Sequence, residues 1–132
     1  MPPIFRAALS YWALVFAAGF VLGTARTLWL APRLGDLAAT AIELPLMLAI
    51  SALAARHVLR RYSVSRASDA FILGGRAFAL LLGSEAALAL ALGRNIGEWA
   101  AALVTPAGAL GLAGQAGFAV LPAALLALRQ GR

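Results

Sequence analysis

The chain has no cysteine, no lysine and one histidine, and only five carboxylates in 132 residues. Without cysteine, disulfides, thiolate metal sites and thiol nucleophiles are excluded. The single histidine, His57, cannot supply paired imidazole ligands. It lies in the run Arg56-His57-Val58-Leu59-Arg60-Arg61, where a solvated or headgroup-level side chain is expected. There is no phosphate-cradling glycine loop after a strand, no zinc-ligand spacing and no Ser/His/Asp set. No enzyme, no cofactor and no metal site is therefore expected. Charge is the most telling shortage. Charged residues make up 12% of the chain and apolar residues 63%, whereas a soluble domain runs at about 25% charged. Such a chain cannot cover a water-facing surface, and it is far too apolar for disorder.

What is present is four long apolar stretches: 7–30, 37–59, 70–93 and, within a longer apolar region, 106–128. A spanning helix needs about 20 apolar residues, and backbone groups in lipid must bond internally. The alternating pattern of a membrane barrel is absent. The expectation is one all-α transmembrane domain over residues 1–132, a four-helix bundle of two antiparallel hairpins. The first stretch resembles a signal peptide around Gly23-Thr24-Ala25, but its apolar run continues through Leu28-Trp29-Leu30. It is therefore read as a retained span.

The connections carry their own signals. Pro32 is expected to stop the first helix and Asp36 to cap the second. Ser68 or Asp69 is expected to cap the third. Asn95-Ile96-Gly97-Glu98 has capping-box spacing, and Thr105-Pro106 reads as a second helix start. A short helix over about 96–104 is thus expected before the fourth span, lying at the membrane interface with Trp99 as anchor. The alternative is one long helix kinked at Pro106.

All eleven cations are arginines and the net charge is +6. They flank apolar runs rather than forming a basic soluble domain, which favours anionic lipid headgroups over nucleic acid. Arg6, Arg56, Arg60, Arg61, Arg66, Arg129 and Arg132 fall on the side of the two termini, against Arg26, Arg33 and Arg94 on the other. That bias places both termini in the cytoplasm. Arg56, Arg60 and Arg61 are expected at headgroup level. Arg76 lies within the third span, close enough to its inner end to snorkel to the headgroups; a contact with a partner subunit is the sharper reading. The lack of lysine and the wealth of Ala, Leu, Gly and Arg suggest a GC-rich bacterial genome, hence an inner membrane.

Charges inside spans are functional hypotheses by default. At about 1.5 Å of rise per residue, Arg26, Glu43 and Glu85 lie roughly 9, 10 and 12 Å below the outer connections. They are expected to form one polar layer, bordered by Thr105. One arginine cannot neutralise two glutamates, so one carboxylate is in excess. That group could relay protons or bind a cation. The competing reading is polar glue between helices. Arg76, nine residues from Glu85, faces the opposite side of its helix and stays outside the layer. Gly19-x-x-x-Gly23 and the set Gly108, Gly111, Gly114 and Gly117 are expected to allow close helix packing, and Pro45 to bend the second helix beside Glu43.

The run Gly23-Thr24-Ala25-Arg26-Thr27-Leu28-Trp29-Leu30-Ala31-Pro32-Arg33-Leu34-Gly35, with Ile42-Glu43-Leu44-Pro45-Leu46-Met47, resembles a group of small four-span bacterial membrane proteins. The resemblance implies a four-span fold and no particular activity. A structural or accessory membrane protein, packing with itself or with a larger complex, is therefore the expected class. The alternative is an oligomeric proton- or ion-coupled carrier using the polar layer.

Overall fold

The computed structural model describes residues 3–130. They form five helices: α1 (Pro3–Leu34), α2 (Asp36–Arg61), α3 (Ala67–Ala91), α4 (Ile96–Ala102) and α5 (Pro106–Gln130). No strand occurs among the described residues. All but α4 are long and apolar enough to cross a membrane. The helices outrun the apolar stretches because backbone bonding does not stop where the hydrocarbon does. Polar residues such as Arg60 and Arg61 continue the last turn of α2.

α1 packs on α2 and on α3, and α5 packs on the same two helices. The bundle order is thus α1–α2–α5–α3, with the hairpins α1/α2 and α3/α5 side by side. α2 and α3, consecutive in sequence, lie across a diagonal. So do α1 and α5.

The filled core lies at the end where α1 begins and α5 finishes; this is the inner end, as a name of position in the bundle alone, and the opposite end is the outer one. Ala7, Tyr11, Val15, Ala55, Val58, Leu59, Leu73, Ala77, Phe118 and Leu126 are buried there. Gly74 makes the tightest helix contact. A Cβ at this position would collide with the backbone carbonyl of Ala119, so only glycine lets α3 and α5 approach this closely. Tyr11 crosses the α1–α5 diagonal. Its ring stacks on Phe118 with centroids 4.3 Å apart, and its hydroxyl donates to the Phe118 carbonyl at 2.6 Å. That carbonyl needs the bond. Its helical partner four residues on is Pro122, which has no N–H.

Several connections differ from expectation. Pro32 does not stop α1. The chain widens into a π turn at Arg26–Leu30, where the Ala31 N–H bonds to the Arg26 carbonyl, and the helix then continues through Pro32 to Leu34. The proline sits in the first turn after the π segment, where its missing N–H costs little. Gly35 ends the helix instead, with φ of 86°. Asp36 is not a cap by hydrogen bond. Gly35 holds the N-cap position of α2, and Asp36 stands in the first turn, where its charge suits the helix dipole. Likewise Arg66, not Ser68 or Asp69, holds the N-cap position of α3, and Asp69 lies in its first turn.

The split before the fourth long helix is observed. Asn95 Oδ1 accepts from the Glu98 N–H at 2.7 Å, and Asn95 Nδ2 donates to Glu98 Oε1 at 2.6 Å. Thr105 Oγ1 accepts from the Gly108 N–H at 3.1 Å, with Pro106 as the first residue of α5. α4 is therefore a separate helix, two residues shorter than the 96–104 expected.

Candidate functional site

The outer half of the bundle holds the intramembrane charges. Arg26 lies at the start of the π turn, which adds a residue to the local helical repeat and re-aims the side chains around it. Its Nε donates to Glu43 Oε2 on α2 at 2.5 Å. At Gly23, one turn earlier, a Cβ would stand 3.7 Å from Arg26 Nη2, an ordinary contact, so the guanidinium does not depend on the glycine. Side-chain exposure is 31% for Arg26 and 14% for Glu43, so the pair sits in the wall of the bundle rather than at its centre. This is the single ion pair among the described residues.

Glu85 on α3 is bound differently. Gln115 of α5 donates from Nε2 to Glu85 Oε1 at 2.6 Å. The Gln115 carbonyl oxygen is buried and has no hydrogen-bond partner. No hydrogen bond joins Arg26 to Glu85. The expected triad is thus two neighbouring pairs, Arg26–Glu43 across α1/α2 and Glu85–Gln115 across α3/α5. Each pair staples one hairpin.

Thr105 does not join this layer. Its hydroxyl donates to the Ala102 carbonyl at 2.7 Å and caps α5, so local backbone groups use both of its capacities. Gln115 was the missed partner. Depth arithmetic signals it, since ten residues after Thr105 place it about 15 Å down, near the level of Glu85. Arg76 stays outside the layer, exposed, with its guanidinium 6.0 Å from the Phe5 ring centroid.

The small residues divide the work between faces. Gly114 and Gly117 of α5 meet Leu44 and Leu48 of α2, and Gly19 of α1 meets Met47. Gly108 fits against the Ala102 carbonyl, which tucks α4 onto the start of α5. A Cβ on Gly111 would meet nothing within 4 Å.

At the inner end, Arg56, Arg60 and Arg61 are exposed, as is His57. Arg61 lies 5.5 Å from the Tyr62 ring centroid, and Arg129 Nη2 donates to the Val64 carbonyl at 3.1 Å. Among the described residues, no three of His, Cys, Asp and Glu come together as a metal cluster.

No family model, no curated protein and no solved structure matches this chain.

Proposed function

We propose that this chain is a small multi-pass protein of a bacterial inner membrane with both termini in the cytoplasm. It serves as a structural or accessory subunit, packing with itself or with a larger membrane complex. The observation that carries this reading is the filled inner half. Tyr11, Phe118, Leu73 and Leu126 close the bundle there, and among the described residues its buried polar groups are the Tyr11 hydroxyl, Ser51 and the Trp12 indole N–H. A carrier needs a continuous polar route from both faces, and here the stacked Tyr11 and Phe118 rings with Leu73 fill the bundle below the outer pairs. The two outer pairs each join the helices of one hairpin, which is the work of packing devices. The arginine asymmetry supports the orientation.

The carrier reading draws on Glu85, whose partner Gln115 keeps an unbonded acceptor beside it. Flux measurements separate the two. Purified protein in liposomes with an imposed pH gradient is expected to carry no proton or cation flux above that of empty liposomes, and Glu85→Gln to behave the same. Robust flux that disappears in Glu85→Gln would overturn the accessory role in favour of a carrier built on the polar layer.

A further inference from the structure

At the inner end, Arg56 and Arg60 stand one turn apart on the same edge of α2. Two adjoining hollows share them. One, of about 270 Å³, lies between α2 and α5 and is completed by Leu59, Leu125, Leu128 and Arg129. The other, of about 410 Å³, lies on the opposite flank of the same edge, with Leu53, His57 and Arg61. Among the described residues, no acidic side chain lines either hollow. The one ion pair among the described residues is Arg26–Glu43, at the far end of the bundle.

We propose that the α2–α5 groove binds the phosphodiester headgroup of an anionic phospholipid. Arg56, Arg60 and Arg129 take the phosphate, and Leu59, Leu125 and Leu128 line the path of the acyl chains.

Charge, depth and wall chemistry agree on this occupant. Four arginines crowded with no described carboxylate among them repel one another, and an anion relieves that repulsion. Guanidinium forks match phosphate oxygens bidentately. Arg129 is already oriented by its bond to the Val64 carbonyl and keeps further N–H donors free. Arg60 and Arg56 lie about 1.5 and 7.5 Å below the end of α2, the depth at which an arginine reaches headgroup phosphates. The leucine side of the groove suits an acyl chain and offers nothing to a free inorganic anion. The inference rests on the chain being embedded in a bilayer. It is independent of whether the outer pairs serve packing or transport, so lipid retention and flux fail separately.

The test uses the full chain in a zwitterionic detergent, with equal phosphatidylglycerol and phosphatidylcholine added and retained lipid counted by native mass spectrometry. Wild type is expected to retain phosphatidylglycerol selectively. Arg56→Gln with Arg60→Gln should lower that retention about tenfold or more. The same double change at Arg33 and Arg94, at the other end, should leave it unaltered. Inorganic phosphate should not displace the lipid. Equal retention of both lipids by wild type would overturn the proposal, and that measurement needs no variant to fold. So would unchanged retention in Arg56→Gln/Arg60→Gln. Displacement by inorganic phosphate would reduce the groove to a simple anion site.

Discussion

The two halves of this bundle are held together by different physics. In the inner half, apolar side chains fill the space between helices, Gly74 brings two backbones into contact, and Tyr11 ties α1 to α5. In the outer half, the buried apolar side chains among the described residues are Ala39, Ala89 and Leu81 near the middle, and the cross-helix polar bonds are Arg26–Glu43 and Gln115–Glu85. Lipid tails are as apolar as leucine, so apolar burial alone gives spans little reason to choose one another. Close fit does so in the inner half, whereas in the outer half polar bonds add to the glycine contacts that Gly114 and Gly117 make with Leu44 and Leu48. The inner half should therefore respond to changes in volume, and the outer half to changes in bonding partners as well as in volume.

The largest effect should come from breaking the close fit. Gly74→Ala forces a methyl group into the Ala119 carbonyl, which cannot swing aside as a side chain would. A loss of about 2–3 kcal/mol is expected, read from unfolding in mixed micelles. A loss under about 0.5 kcal/mol would mean that α3 and α5 do not meet at this point.

The next effect is conditional. Tyr11→Phe removes the donor to the Phe118 carbonyl and should cost about 1–2 kcal/mol. Pro122→Ala restores a backbone N–H four residues after Phe118. In that background Tyr11→Phe should cost clearly less, because the carbonyl has a second partner. Equal costs in both backgrounds would show that the hydroxyl bond does not serve the proline-orphaned carbonyl.

The smallest effect belongs to the outer half. Arg26→Ala leaves Glu43 without its partner, so adding Glu43→Gln should recover stability. The pair is partly exposed, and a coupling of about 1 kcal/mol is expected from a double-mutant cycle. The same cycle between Arg26 and Glu85 should give a smaller value, because no hydrogen bond joins them. Equal couplings would restore a single three-residue network and blur the division into separate hairpin staples.

Much of this was legible in the chain. Four apolar stretches dictated four long helices, and the Asn95–Glu98 and Thr105–Pro106 signals marked a separate α4, because caps are local chemistry within three or four residues. Arg26 and Glu43 were matched by depth, and they do pair. Three signals misled. Pro32 has a breaker's chemistry, yet a π turn absorbed it. Asp36 and Ser68/Asp69 are good cap residues, yet glycine and arginine occupy the cap positions of α2 and α3. Thr105, at the start of the fourth span, was expected to border the polar layer, but a neighbouring carbonyl and amide consumed its hydroxyl.

The sequence by itself determined the class of solvent, the number of long helices and the depth of each charge, because composition, run length and a fixed rise per residue are one-dimensional quantities. It also held Pro122, and with it an orphaned carbonyl at Phe118. Only the tertiary structure decided who answers that carbonyl, which glutamate takes the arginine and which takes the glutamine, and that α2 and α3 lie across a diagonal. Those choices depend on the rotation of each helix about its axis and on its neighbours around the bundle. Contacts between residues 30 to 107 positions apart set both, as in Glu85–Gln115 and Tyr11–Phe118, and no local pattern encodes them.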